Sequence, residues 1–378
     1  MKMKACLFII WLCILSLSSC GPNVNEQKTL TCAPYIPAHM GYYGDDVYLL
    51  IDYRMYAIRP EDGAVEILCH KEACPHSYSP QAEHTCQAAL ESGAAMGVYN
   101  DKVFVLEAMA DAPAYTYALS EWDPKTGEKT KLTSFIDLVD NYWGTFYDGY
   151  FYYIVNALPG FKISLNRVAL AEGAQPELLW ESDSYEDYPY LCGYQICVDR
   201  CFVSVSEKGM TKLTVYDIAE QEVMIEDFTN TSVIVYGAGC LYYIDADKHT
   251  IEVYDMASDT VVDSIAVEFN DITWTTLACD QSYLYLSESV WNEANEGFDT
   301  YIHIYDHHGA LINTVITGKN VQYDGVDFLF STDKYIYIGN RHNYWPRTMA
   351  LYCLDKATLA QGGTVEVVPV YNTDQIVQ

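Results

Sequence analysis

The sequence predicts an all-β fold built from repeated short sheets. Runs of β-branched and aromatic residues are separated by turn residues, which is the pattern of short strands. Related versions of one unit recur from about residue 40 to the end of the chain. No stretch of comparable length shows the period of a helix. These three observations indicate strands joined by tight turns throughout.

The plainest copy of the unit lies at residues 236–265, which begin Tyr-Gly-Ala-Gly-Cys-Leu-Tyr-Tyr-Ile-Asp. It contains a two-residue turn, a strand that alternates aromatic and aliphatic residues, and a second strand that ends in Asp255. Asp, Asn and Gly in the turn tolerate positive φ and therefore favour a tight hairpin. We expect the Asp that ends the second strand to cap the next turn with its own side chain.

Seven copies follow one another along the chain, with their first turns roughly 40 to 55 residues apart, the range typical of four-stranded units. Their first strands and turns begin near Tyr43, Tyr99, Tyr147, Val198, Tyr236, Cys279 and Thr332. We therefore assign residues 34–378 to a single domain.

Strands with aromatic residues on both faces need cover on both faces, and a radial stack of sheets supplies that cover. In this respect the repeats resemble the β-propeller superfamily in its broad WD40/YVTN/PQQ-like sense. The resemblance implies an all-β propeller of seven four-stranded blades. Six or eight blades remain open because the loops differ in length and the third and seventh copies are irregular. We expect ring closure to join residues 365–371 to strands near Tyr35 and Gly41.

The N-terminal segment predicts the compartment. Lys2 and Lys4 precede an apolar run at residues 5–17 that is too short to span a membrane as a helix. The following Leu17-Ser18-Ser19-Cys20 resembles the lipobox of bacterial lipoprotein signal peptides. An ordinary secretory signal peptide is the alternative.

The lipobox resemblance implies that residues 1–19 are a signal peptide and that the thiol of Cys20 carries a diacylglycerol. Residues 20–33 would then be the lipidated Cys and a polar tether. A lipid with two or more acyl chains holds a protein firmly at a membrane surface. We therefore expect a protein anchored by its lipid at the extracytoplasmic face of the bacterial cell envelope.

The charge of the chain excludes one class of partner. The sequence has 21 Lys and Arg against 52 Asp and Glu, which gives a formal net charge of −31. Such a charge repels phosphate backbones. Nucleic acid is therefore not an expected partner.

A cysteine- and histidine-rich segment is the most unusual part of the sequence. Cys69, Cys74, His76 and Cys86 could supply four ligands to a tetrahedral zinc ion. With Cys32 added, the same cysteines could instead form two disulfides, which an extracytoplasmic compartment favours. Free or mixed thiols are the third alternative.

A second cysteine group comprises Cys192, Cys197 and Cys201. We place Cys197 and Cys201 on either side of a turn at residues 199–200, where they could face each other across a hairpin. A disulfide or buried thiols are both compatible with this spacing.

Acidic, aromatic loops are the remaining candidates for ligand contact, because exposed Trp and Tyr rings stack well on sugars and peptide groups. The candidate residues are Trp180, Tyr185, Trp291, Tyr344 and Trp345. The alternative is that these side chains pack on their own sheets.

Two functions are compatible with the sequence. The first is a membrane-anchored binding or scaffold module for a protein, peptide or glycan. The second is an extracytoplasmic propeller enzyme that acts on carbohydrate as a lyase or hydrolase, an argument from fold analogy. The sequence contains no Gly-x-Ser-x-Gly and no His-Glu-x-x-His motif, so it offers no catalytic residues to support the second.

The lipobox interpretation predicts that Cys20→Ala releases the protein from membranes, because the thiol that carries the lipid is lost. Fractionation of cells and metabolic labelling with a fatty acid measure the effect. Cys201→Ala is the matched control and should stay in the membrane fraction. Unchanged membrane association of the Cys20 variant would exclude lipidation at this residue.

Overall fold

The structure is a computed structural model. It describes residues 40–372 apart from short segments at 44–45, 52–53, 60–63, 75–85, 91–94, 110–115, 137–143, 158–160, 187–188, 198–199, 209, 226–230, 246, 256, 259, 268–274, 295–296, 322–325, 332–333, 341–349 and 362–367. The described residues contain 28 strands and one short helix, α1 at Lys356–Gln361. Among them, no helix is long and apolar enough to cross a membrane.

The described strands form seven antiparallel four-stranded sheets, one for each repeat of the sequence. We number the sheets 1 to 7 in chain order. Sheet 1 contains β1 Met40–Tyr43, β2 Asp46–Ile51, β3 Arg54–Ile58 and β4 Val65–Ile67. Sheet 2 contains β5 Ala95–Tyr99, β6 Lys102–Ala108, β7 Thr116–Trp122 and β8 Lys129–Ile136. Sheet 3 contains β9 Gly144–Tyr147, β10 Tyr150–Ala157, β11 Lys162–Ala169 and β12 Glu177–Glu181.

The remaining four sheets have the same order of strands. Sheet 4 contains β13 Tyr190–Cys197, β14 Arg200–Glu207, β15 Met210–Asp217 and β16 Glu222–Ile225. Sheet 5 contains β17 Thr231–Gly237, β18 Cys240–Asp245, β19 Thr250–Asp255 and β20 Thr260–Ala266. Sheet 6 contains β21 Thr275–Cys279, β22 Leu284–Asn292, β23 Gly297–Tyr305 and β24 Leu311–Val321. Sheet 7 contains β25 Val326–Ser331, β26 Tyr335–Asn340, β27 Ala350–Asp355 and β28 Val368–Asn372.

The first strands of successive sheets contact one another in the order β1, β5, β9, β13, β17, β21 and β25. The sheets therefore stack radially with their first strands innermost, and the predicted all-β propeller architecture is confirmed. The predicted closure is wrong for the strand that contains Gly41. Among the described residues, β28 pairs with β27 and β1 pairs with β2, so β28 and β1 do not share a sheet. Tyr35 lies outside the described residues.

The hairpin turns follow the prediction made from their residue types. Asn100 and Asp101 between β5 and β6 have φ of 49° and 54°, and Ala238 and Gly239 between β17 and β18 have φ of 50° and 83°. Two consecutive positive φ values match the twist of a two-residue hairpin to that of its strands. The predicted tight turns are confirmed at these positions.

The predicted second strand of each repeat is the third strand of its sheet. The Asp residues that end these third strands cap the following turns, as predicted. One carboxylate oxygen of Asp217 accepts hydrogen bonds from the N–H groups of Ala219 and Glu220, both at 2.9 Å. Asp255 and Asp355 accept equivalent bonds from Ser258 and Ala357, also at 2.9 Å. These side chains replace the backbone partners that the turn residues lack.

The second strands of sheets 4 and 5 are buried on both faces. Five consecutive residues of β14 and four of β18 are buried, whereas six of the seven residues of the outermost strand β20 are exposed. Hydrophobic clusters then join each sheet to the next along the chain, from sheets 1 and 2 to sheets 6 and 7. The core is thus a series of interfaces between sheets rather than one central mass.

Glycine permits the closest approach of neighbouring inner strands. A Cβ atom on Gly97 of β5 would lie 2.4 Å from the ring of Phe146 in β9. A Cβ atom on Gly237 of β17 would lie 2.4 Å from Sγ of Cys279 in β21. Neither position has room for a side chain, because the first strands of the sheets converge there.

A buried ion pair connects sheets 6 and 7. Asp280 follows β21 and accepts hydrogen bonds from the hydroxyls of Tyr285 at 2.8 Å and Ser331 at 2.7 Å. Nζ of Lys356 lies 2.7 Å from the same carboxylate oxygen, and the two side chains are only 11% and 5% exposed. Burial alone would raise the pKa of Asp280, but the Lys356 ammonium and these hydrogen bonds outweigh it and lower the pKa.

Replacement of Asp280 should destabilise the fold, because it leaves the Lys356 ammonium buried without its partner. We expect Asp280→Asn to lower the free energy of unfolding by about 3 to 5 kcal/mol. Since the pKa of Asp280 is lowered in the folded protein, its stabilisation is present above about pH 4 and is lost as pH falls through the folded pKa.

Urea unfolding at several pH values measures both effects. Stability of the Asp280→Asn variant should fall less steeply below pH 4 than that of the wild-type protein. Asp183→Asn, at an exposed position, is the control and should change little. Equal stability of the wild-type and Asp280→Asn proteins at pH 7 would contradict the prediction.

Candidate metal centre and ligand loops

Three cysteines of the unusual segment lie together between sheets 1 and 2. Cys69 and Cys74 follow β4, and Cys86 precedes β5. Their Sγ atoms all lie within 4.8 Å of one another, and the three residues are not joined by disulfides. Cys86 is buried and the other two are partly exposed. The convergence that the spacing suggested is therefore present for these three thiols.

Tight turns of the backbone bring the thiols together. The N–H of Cys74 donates a hydrogen bond to the carbonyl of Lys71 at 3.2 Å, and Ala73 between them has a φ of 56°. The N–H of Ala89 donates to the carbonyl of Cys86, also at 3.2 Å. We call residues 69–74 and 86–89 the two arms of the cluster. Each arm contains a tight turn at a cysteine.

Burial and hydrogen bonding shift the pKa of two of the thiols. Burial would raise the pKa of the Cys69 thiol, but hydrogen bonds from the backbone of Lys71 and Gln87, together with those from the Cys74 and Cys86 thiols, outweigh it and lower the pKa. For Cys86, burial prevails over a hydrogen bond from the N–H of Ala88 and raises the pKa to about 12. In each arm one donor lies two residues after the cysteine.

The cluster is attached to both neighbouring sheets. Oε1 of Gln87 accepts a hydrogen bond from the N–H of His70 at 3.0 Å, and Nε2 of Gln87 donates to the carbonyl of Thr126 at 2.6 Å. Nε2 of His70 lies 3.2 Å from the carbonyl oxygen of Pro124 in the same turn of sheet 2. On the other side, the N–H of Met55 in sheet 1 donates to the carbonyl of Ala88 at 2.9 Å.

The structure does not describe the other two predicted members of this site. His76 lies in residues 75–85 and Cys32 lies before residue 40, so both are outside the described residues. Sequence reasoning did not foresee the part played by Gln87. The available signal was that Gln87 lies directly between Cys86 and the apolar residues 88–90. Such an apolar run is suited to packing between two sheets, which places Gln87 within reach of both.

The second cysteine group differs from the prediction in its register. The β13–β14 hairpin pairs Cys197 with Arg200 and Cys201 with Ile196, so the pairing is shifted from one in which Cys197 faces Cys201. Cys197 and Cys201 are therefore not cross-strand partners. Cys201 is a completely buried thiol that forms no disulfide, in the cluster between sheets 3 and 4, and Cys192 also lies in β13.

Two of the predicted ligand-contact residues pack within the protein. Trp180 and Tyr185 are partly buried against the cluster that joins sheets 3 and 4. The hydroxyl of Tyr216 donates a hydrogen bond to the carbonyl of Leu179 at 2.8 Å, which fixes the strand that carries Trp180. The alternative of packing on their own sheets fits these two side chains better than ligand contact.

Trp291 has the opposite environment. Its side chain is 51% exposed near the end of β22, where it lies opposite Phe298 in the β22–β23 hairpin. The tip of this hairpin is braced, because Nδ2 of Asn292 donates to Asp299 at 2.8 Å and the N–H of Ala294 donates to Oδ1 of Asn292 at 3.1 Å. Tyr344 and Trp345 lie outside the described residues.

Comparison with known proteins supports the fold. No family model and no curated protein sequence matches the chain. A candidate 6-phosphogluconolactonase from Bacteroides fragilis has a similar structure, with a TM-score of 0.50 and 13% identity over 93% of this chain and 99% of the other. The dipeptidyl peptidase 4 of Porphyromonas gingivalis matches with a TM-score of 0.47 and 10% identity, over 90% of this chain and 60% of the peptidase. At such identities the first likeness concerns the fold alone, so the chain is a β-propeller that is similar in architecture to the Bacteroides protein.

The two tryptophans should respond differently to truncation. We expect Trp180→Ala to lower the free energy of unfolding by about 2 kcal/mol, because it removes a partly buried ring from an interface between sheets. Trp291→Ala should change it by less than about 0.5 kcal/mol, since the ring is largely in solvent. Chemical denaturation measures both, and a larger loss for Trp291 than for Trp180 would refute the assignment.

Proposed function

We propose that this protein is a lipid-anchored propeller on the extracytoplasmic face of a bacterial envelope, where it acts as a binding or scaffold module for a protein, peptide or glycan. The observation that carries the proposal is the combination of a lipobox-like sequence that ends at Cys20 with a propeller fold whose described strands begin at Met40. A short tether between a lipid and a rigid domain holds one surface of that domain close to the membrane. Loops on rigid scaffolds commonly carry binding residues.

The binding domain in this proposal is a closed ring of seven blades. Tyr48, Leu50 and Met55 of sheet 1 face sheet 2. Val47, Tyr56 and Ile58 of sheet 1 are at most 2% exposed but belong to the opposite face, as their register and alternation indicate. That face needs a cover.

Sheet 7 has a face of matching character. Ile336 and Ile338 pack toward sheet 6, whereas Tyr337 between them points the other way and is completely buried. Contact between this face of sheet 7 and the face of sheet 1 that carries Val47, Tyr56 and Ile58 would account for the burial of both. Closure then depends on the packing of side chains, without a shared strand.

The hairpin that carries Trp291 is the best-supported contact region for a ligand. The pairing of β21 with β22 extends only to Glu288, while β22 and β23 remain paired to Asn292. The exposed indole is thus carried on a braced three-stranded extension, because β24 also pairs with β23 as far as Phe298. A rigid, exposed aromatic ring offers a large contact area at a small entropic cost.

The charge of the chain limits the ligands further. A net charge of −31 favours neutral or basic ligands over anionic ones at distances within the Debye length. Neutral glycans and basic peptides meet this condition. Nucleic acid does not.

A binding screen tests the proposal with the full mature lipoprotein in detergent micelles. Arrays of neutral glycans and basic peptides are probed, and proteins crosslinked to the anchored protein in intact envelopes are identified. We expect at least one reproducible ligand whose binding weakens about tenfold or more in Trp291→Ala, since truncation of an anchor ring costs more than about 1 kcal/mol.

Leu178→Ala is the matched control, because Leu178 is an exposed apolar residue on the outermost strand of sheet 3. It should leave binding unchanged. Turnover of a glycan by the purified protein would contradict a pure binding role and favour the carbohydrate-acting enzyme. The absence of any ligand in all three screens would contradict both.

A further inference from the structure

We propose that Cys69, Cys74 and Cys86 are thiolate ligands of one zinc ion that clamps sheet 1 to sheet 2. The proposal does not depend on the identity of any ligand of the propeller. The site has a structural role, because it lies within the packing between two sheets.

The separation of the sulfurs supports a metal. In a tetrahedral zinc site with Zn–S bonds of about 2.3 Å, the sulfurs lie about 3.8 Å apart. Three Sγ atoms within 4.8 Å of one another need only a small contraction to reach that arrangement. A disulfide requires two sulfurs about 2.05 Å apart, and a disulfide between two of these cysteines would leave the third to pair outside the cluster.

The backbone and the spacing of the cysteines supply a second observation. The N–H of Cys74 donates to the carbonyl of Lys71 and the N–H of Ala89 donates to the carbonyl of Cys86, so tight turns hold the thiols in place. Four residues separate Cys69 from Cys74, which is within the range for paired ligands of structural zinc.

Charge balance is consistent with a divalent cation. Binding of one Zn²⁺ to three thiols releases three protons and leaves a net charge of −1 on the metal and its three sulfurs. No electron is transferred, so the step needs no oxidant. The fourth ligand position remains for a further protein side chain or a water molecule.

The surroundings indicate what the metal would hold together. One arm of the cluster carries His70, which contacts Pro124 in sheet 2. The other arm carries Gln87, bound to Thr126 in sheet 2, and Ala88, bound to Met55 in sheet 1. A metal that joins the two arms therefore ties sheet 1 to a turn of sheet 2.

Metal analysis of the full mature protein tests the proposal. The protein is purified without chelators, and zinc is measured by elemental mass spectrometry. We expect about one zinc per chain, as a single site requires. Replacement of zinc by Co²⁺ should produce the absorption bands of thiolate-to-cobalt charge transfer.

The variants identify the ligands. Cys69→Ser, Cys74→Ser and Cys86→Ser should each lose most of the zinc, whereas Cys201→Ser and Cys279→Ser, which alter buried thiols elsewhere, should keep it. His76→Ala and His84→Ala test whether a histidine of the intervening segment supplies the fourth ligand. Loss of zinc in one of them identifies that ligand, and retention in both indicates water or another side chain.

A stability measurement separates a metal site from a merely misfolded variant. Addition of a chelator should lower the melting temperature of the wild-type protein and leave that of the triple Cys→Ser variant unchanged. The proposal is overturned if intact-mass analysis shows a disulfide among the three cysteines and neither zinc nor Co²⁺ binds after reduction. Retention of one zinc by the triple variant would overturn it equally.

Discussion

Burial of apolar sheet faces against neighbouring sheets is the constraint on which this structure depends. A flat four-stranded sheet that is apolar on both sides has no stable place in water unless another sheet covers each side. Central strands such as β14 and β18 are buried over four or five consecutive residues, and each sheet meets the next through its own hydrophobic cluster. The radial arrangement follows from this requirement. The richness in tyrosine fits it as well, because a large ring fills the gap between sheets while its hydroxyl can find a polar partner.

Local chemistry made much of the fold predictable. The turn at residues 100–101 needs positive φ at both positions, which Asn100 and Asp101 tolerate, and Gly239 tolerates it in the turn at 238–239. The capping role of Asp217 and its equivalents depends only on atoms two or three residues away. The fourth strands are harder to predict, because in most sheets a register shift interrupts their pairing with the third strand. Such shifts depend on the twist of the finished sheet.

The sites show where local reasoning ends. The convergence of Cys69, Cys74 and Cys86 could be anticipated from spacing, since turns bring such residues together over short distances. The buried pairing of Asp280 with Ser331 and Lys356 joins residues more than 50 positions apart, and no local pattern indicates it. Trp180 and Trp291 occupy similar acidic stretches of sequence, yet one is packed and the other exposed. Which face of a strand meets a neighbouring sheet decides the difference.

Every sheet is formed by one uninterrupted stretch of chain, including the first and the last. Among the described strands, none completes a sheet formed by another repeat, so the gene can be divided into seven segments that each encode a whole sheet. Duplication or loss of one segment would break no backbone pairing and would change only which surfaces meet. The architecture is therefore suited to growth by tandem duplication. The specialised loops, such as the thiol-bearing arm between sheets 1 and 2, can diverge within one block while the others keep their form.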